Sequence, residues 1–198
     1  MAAAGKVCTG FSLPYVAVYA NNQGTISYSS GQKLARGVSV SVAPEVADNN
    51  NFYADNVLAE SVNGTFTGGT VTLTVDGLLP TAEKLIFGLG TASTVSGVSA
   101  YEYGDSATPP YVGIGFIARY MSDGATSYKA VMLTKCKFSL PTEEAATQED
   151  QISWQTQELN ATIMRDDSAN HVWKVIGATE YASESAAEVD LKKLLGIT

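Results

Sequence analysis

Residues 43–77 read APEVADNNNFYADNVLAESVNGTFTGGTVTLTVDG, and the fold class turns on them. Val71, Leu73 and Val75 alternate with Thr70, Thr72 and Thr74. That period of two marks a half-buried strand, with one apolar face and one face left for water or a partner. Gly68-Gly69 separates this run from an earlier β-run, and a glycine pair there predicts a tight hairpin turn with positive φ. Ahead of it, Asp48 to Asn56 reads as an acidic, amide-rich loop that carries two aromatics, Phe52 and Tyr53. A sticky loop beside a strong hairpin predicts a protein built to meet copies of itself. No residue in the stretch has the character of a catalytic group.

The rest of the chain repeats the β signal. Toward the N-terminus, Tyr15–Ala20 and Thr25–Ser29 predict a hairpin about Asn21-Asn22-Gln23-Gly24. Gly31–Arg36 reads as a connector, and Val38, Val40 and Val42 then alternate with serines as a strand. Met1–Ser12 is small and polar, and is expected as a flexible arm. Toward the C-terminus, Tyr111–Met121 and Thr126–Phe138 flank Ser122-Asp123-Gly124-Ala125, the best hairpin in the chain. With Asp123-Gly124 as its loop, Phe116 opposes Val131 and Ile114 opposes Leu133, and these four are the expected core. Gly113 and Gly115 fall on the other face of that strand, where they allow close approach of a backbone or of Met132.

Two helices are expected. Ala82, Leu85, Ile86 and Leu89 recur at helical spacing after Pro80-Thr81, with Thr81 as N-cap and Gly90 as the stop. Glu184–Leu195 places Ala187, Leu191, Leu194 and Leu195 on one face. Val98–Tyr103 and His171–Ile176 read as short strands. Ile152–Met164 reads as a long strand with a wet face, of the kind that lines a channel. The expectation is a mainly β, antiparallel sandwich or barrel-like fold with a short flanking helix and a C-terminal helix. Its parts are an arm over 1–12, one β-rich domain over 13–179 and a helical segment over 180–198.

Charge and chemistry exclude several function classes. The 198 residues carry 12 Lys and Arg against 20 Asp and Glu, for a net charge of −8, with no basic cluster to neutralise phosphates. No window approaches the length of a bilayer span and no secretory signal is apparent, so a soluble, cytoplasmic chain is expected. In that setting Asn63-Gly64-Thr65 and Asn160-Ala161-Thr162 are chance glycosylation patterns, and Cys8 and Cys136 read as free thiols. The lone histidine, His171, lies in an apolar run beside Trp173 and reads as structural. Cys136 alternates away from Lys135 and Lys137, so those ammonium groups do not activate it. Glu143-Glu144 and Glu149-Asp150 are paired carboxylates without an aromatic sugar platform, and read as a solvated loop. Asp48–Asn56 is rich in oxygen but lacks the spacing of a calcium loop. Neither a cofactor, a metal nor a catalytic residue is expected.

Several stretches carry a resemblance. PYVAVYANNQGTISYSSGQKLARGVSVSVAPE (14–45), ADNNNFYADNVLAES (47–61), GTFTGGTVTLTVDGL (64–78), YVGIGFIARYMSDGATSYKAVMLTKCKFS (111–139) and EEAATQEDQISWQTQELNATIMRDDSANHVWKVIG (143–177) are similar to major tail proteins of long-tailed, non-contractile bacteriophages and prophages. The resemblance spans roughly Pro14 to Gly177. It implies a structural virion protein of the tail, assembled in the bacterial host cytoplasm. Hexameric rings would stack into a hollow tube, with DNA as non-sticking cargo in the bore. The implied partners are the protein itself and other tail proteins such as tape measure and tail terminator, with no membrane. On that basis Asp48, Asn49, Asn50, Asn51, Phe52, Tyr53 and Asp55 are the expected inter-subunit contact. Acidity and strand polarity single out Glu143, Glu144, Glu149, Asp150 and Glu158 for the lumen, where carboxylates would repel phosphates. The competing readings are a monomeric carbohydrate-binding β-sandwich and a secretion-system-type tube protein.

Overall fold

A chain in which apolar side chains alternate with Thr and Ser can bury one face of a sheet and wet the other. The computed structural model, which describes residues 5–105, 107–143, 146–147 and 154–197, is built that way. Its strands are β1 (Val7–Asn22), β2 (Thr25–Lys33), β3 (Gly37–Val46), β4 (Asn50–Ala54), β5 (Val57–Val62), β6 (Phe66–Val75), β7 (Ser93–Val95), β8 (Val98–Ala100), β9 (Val112–Ser122), β10 (Ala125–Phe138), β11 (Gln157–Met164) and β12 (Lys174–Ile176). The helices are α1 (Pro80–Phe87) and α2 (Glu184–Leu194). The main sheet is antiparallel in the order β2-β1-β9-β10-β11-β6-β3, with β12 on β10. β4–β5 and β7–β8 are separate ribbons. The fold is thus mainly β and sandwich-like, as expected.

The sheet curls over one core. Val71, Leu73 and Val75 of β6 are fully buried with Leu159 and Ile163 of β11 and Ile114 and Leu133 from the β9–β10 hairpin. Register pairs Phe116 with Val131 and Ile114 with Leu133, as the turn chemistry requires. α1 closes one open side through Ala82, Ile86 and Phe87. Phe11 of β1 and Val40 and Val42 of β3 pack against the same residues, Phe116, Ala118 and Val131, and the Phe11 ring lies against Gly37, so β1 and β3 approach each other across the curl.

On the outer face, α2 covers β1, β9 and β10. Ala187, Leu191 and Leu195 bury Tyr15, Ala17, Ile117 and Met132. The glycines make that approach possible: a Cβ at Gly115 would lie 2.6 Å from Leu191 Cδ1, and one at Gly113 would lie 2.6 Å from the Tyr28 ring.

Several expectations are corrected. Gly68-Gly69 is no turn. Both residues lie inside β6, and Gly69 is there because a Cβ would come within 2.6 Å of the Ala43 carbonyl oxygen on β3. Met1–Ser12 is not a flexible arm from Val7 onward, because Val7–Ser12 belongs to β1 and pairs with β9 from Met121 to Ile117. The N-cap of α1 is Leu79, with no side-chain cap bond, and Pro80 opens the helix, where an N–H would have no partner. The helix stops at Gly88, in the left-handed region at φ 65, and not at Gly90. The strand expected over 152–164 begins at Gln157; Ile152 and Ser153 lie outside the described residues.

Candidate assembly surfaces

β3 and β6 pair from Gly37–Val75 out to Val46–Phe66. The ribbon does not end there. The Ala47 amide donates to the Thr65 carbonyl (2.9 Å) and the Gly64 amide to Asn49 Oδ1 (3.1 Å), and the chain continues into β4 and β5. Asp55 and Asn56 turn the ribbon with φ of 49 and 62, the two left-handed residues of a type I′ loop. What was expected as an acidic loop is therefore a hairpin arm. At about 3.3 Å per residue its nine residues from Ala47 to Asp55 reach on the order of 30 Å beyond the sheet.

Every residue from Ala43 to Asn63 is exposed. The expected contact residues Asp48, Asn49, Asn50, Asn51, Phe52, Tyr53 and Asp55 all lie on this arm, so the structure brings them together. Phe52 and Tyr53 leave 62% and 61% of their surface in water, which excludes their folding back onto their own domain. Sequence reasoning missed Val46, Val57, Leu58 and Val62, which are as exposed as the aromatics. The signal was present: Asp55-Asn56 between Ala54 and Val57 is a two-residue hairpin loop, eclipsed by the glycine pair downstream.

The outer face of β3–β6–β11 is the second uncovered surface. Cross-strand rows run Ser39–Thr74–Glu158, Ser41–Thr72–Asn160 and Ala43–Thr70–Thr162. Ser39 Oγ donates to Thr74 Oγ1 (2.9 Å), Thr72 Oγ1 to Asn160 Oδ1 (2.7 Å), and Asn160 Nδ2 to Glu158 Oε1 (3.1 Å). The wet face expected for β11 exists, but its groups are mainly hydroxyls and an amide, with the carboxylates of Glu158 on β11 and Glu45 on β3. Of the lumen candidates, Glu158 stands on this face and lines a cleft with Glu143, Asp76 and Thr156, so these two are brought together. Glu144, Glu149 and Asp150 lie outside the described residues.

Groups with catalytic potential are scattered or inert. Cys8 is exposed and Cys136 is buried, and both are free thiols. Burial pushes the Cys136 thiol far up. His171 is exposed in a turn at φ 50, its Nδ1 3.4 Å from the Asp166 carbonyl oxygen. Lys135 Nζ lies 2.8 Å from Asp167, whose carboxyl it holds below the usual range, while burial pushes the neighbouring Tyr19 hydroxyl up to about 12. Tyr101 and Tyr103 are each 47% exposed; Lys84 sits over the Tyr101 ring, and the Tyr103 hydroxyl donates to Glu83. Among the described residues no three of His, Cys, Asp and Glu converge as metal ligands. Nor, among them, is any helix long and apolar enough to cross a membrane.

Set against known proteins, the chain matches no protein-family model, and no curated protein aligns with it.

Proposed function

We propose that the protein is a non-enzymatic tail tube subunit that polymerises into stacked rings, six copies to a ring, around a bore for DNA. The observation that carries this reading is the arm. A monomer gains nothing by holding Val46, Phe52, Tyr53, Val57, Leu58 and Val62 in water on a projecting ribbon, and exposed apolar patches of this kind mark contact surfaces. Aromatics at such a site are typical anchors.

Two further features support it. β2 and β3 are the ends of the main sheet, and their free edges offer unpaired backbone groups over nine and ten residues. Such edges are hazards in a monomer but pairing sites where neighbouring sheets merge. The hydroxyl face carries the carboxylates of Glu158 and Glu45 and no Lys or Arg on β3, β6 or β11, so it offers phosphates no cation, and the net charge of −8 on each copy repels them. In this reading the protein resides in the virion tail, with tape measure and terminator proteins as its other partners.

Negative-stain electron microscopy across a concentration series, with light scattering alongside, tests it. Rings or hollow tubes are expected from the wild-type chain. Phe52→Ala/Tyr53→Ala is expected to stay monomeric with an unchanged circular dichroism spectrum. A double variant that assembles like wild type removes the arm as the basis of the reading.

A further inference from the structure

We propose that Asn63-Gly64, at the root of the β4–β5 arm, is a site of spontaneous deamidation whose rate is set by the side chain of Asn49. The chemistry belongs to the single chain and needs no partner.

The β3–β6 ladder ends at Val46–Phe66, and the β4–β5 ladder begins at Asn50–Val62. Residues 47–49 and 63–65 lie between them, outside both ladders. Hydrogen bonds cross this gap from the Ala47 amide to the Thr65 carbonyl and from the Gly64 amide to Asn49 Oδ1. Only glycine fits at position 64. A Cβ there would stand 1.6 Å from the Ala47 carbonyl oxygen and 2.4 Å from its carbon, both backbone atoms. The joint therefore demands glycine, and the residue before it is an exposed asparagine. No other Asn-Gly pair occurs in the chain.

Asparagine is thermolabile. A glycine after it has no side chain to shield its nitrogen and adopts the dihedrals that ring closure needs. The Gly64 nitrogen gives up its proton and attacks Cγ of Asn63. A C–N bond forms, the bond from Cγ to the side-chain nitrogen breaks, and that nitrogen leaves with the proton as ammonia. Water then opens the five-membered imide at either carbonyl. One opening gives aspartate; the other gives isoaspartate, whose backbone gains a methylene. Both add a carboxylate to the span between Arg36 and Lys84, which contains no Lys or Arg.

The Asn49 carboxamide restrains this reaction. Its Oδ1 accepts the N–H that must be lost, 3.1 Å from the Gly64 nitrogen. Attack waits for that bond to open, as hydrogen exchange of a bonded amide does. Asn51 supplies the contrast. It accepts from Ser61 Oγ at 2.6 Å, and so ties the same ribbon together without holding the Gly64 amide.

Peptide mass spectrometry tests this. Full-length protein is held at mildly alkaline pH, with and without urea, and sampled over days for exchange of the Asn63 side-chain NH2 for OH. Conversion is expected to be slower in the folded chain than in the unfolded one. Asn49→Ala is expected to quicken it about two- to tenfold, the net worth of one hydrogen bond. Asn49→Asp, which keeps an acceptor in place, is expected to restore the slow rate, and Asn51→Ala to leave it unchanged. Equal rates in folded and unfolded wild type overturn the restraint. No conversion at Asn63 in Asn49→Ala, over a time in which the unfolded chain converts, overturns the site. Asn51→Ala or Asn49→Asp as fast as Asn49→Ala overturns the role of the Asn49 oxygen, since loosening of the arm would then suffice.

Discussion

Glu180 links the first strand to the segment that leads into α2. Lys6 Nζ donates to its carboxylate, and Lys129 Nζ lies 3.0 Å away on β10. Hydrogen bonds from Lys6 and then Lys129 hold the carboxyl down at about 2, against an ordinary value of 4.5. In that window the unfolded chain takes up the proton before the folded one. The stabilisation is therefore complete above pH 4.5 and is lost as the pH falls toward 2. Glu180→Gln is expected to flatten urea-melt stability against pH between 4.5 and 2 and to leave the neutral-pH slope unchanged. Equal slopes in wild type and variant would show that the two lysines contribute nothing. The groups are solvated, so the effect is small and falls with added salt. No spacing rule links Lys6 to Glu180, 174 positions apart; only the folded chain brings them together.

At the scale of elements, strand and helix identity was legible where local period and burial agree. β6, the β9–β10 hairpin and α2 follow their patterns closely, since each has one apolar face and one neighbour to bury it against. Glycines were the harder signal, because one residue type serves two purposes. Gly88 supplies the left-handed stop that was sought at Gly90. Gly69 supplies room for β3, and Gly115 supplies room for α2. Gly115→Val is expected to force Leu191 and Leu195 off the sheet, since even a Cβ would stand 2.6 Å and 2.8 Å from their methyl carbons. Overpacking of this kind costs about 1–3 kcal/mol. It is measurable as a lower urea midpoint, with binding of an apolar dye to the surface that α2 uncovers. A midpoint equal to wild type would mean that α2 contributes little to holding the sheet.

For the whole molecule, three zones of the described surface stand out: the face covered by α2, the hydroxyl face of β3–β6–β11, and the arm that extends the β3–β6 ribbon. Under the tail tube proposal the arm is the zone for contact between copies, and the hydroxyl face is the one for the bore. Glu158→Lys places an ammonium group among Ser39, Thr74 and Asn160 without touching the core. Tubes are expected to form normally, and DNA ejection from particles that carry the variant is expected to slow, more at low salt than at high. Wild-type ejection kinetics at low salt would take this face out of the bore. The candidate site was legible in part. Phe52 and Tyr53 stood out as aromatics in a polar segment; of the lumen acids, Glu143 and Glu158 share one cleft, and Glu144, Glu149 and Asp150 lie outside the described residues.

Alone, the sequence determined the β class, the hairpin register at Phe116–Val131, the amphipathic α2 and the acidic, base-free span between Arg36 and Lys84. These follow from local steric preference, side-chain alternation and composition, which need no partner segment. Only the tertiary structure decided that residues 47–65 extend the β3–β6 ribbon as an arm, that Gly68-Gly69 runs straight through a strand, and that Val7–Ser12 pairs with β9. Each of these depends on which backbone lies alongside, and hydrogen bonds between strands far apart in sequence leave no mark on local pattern.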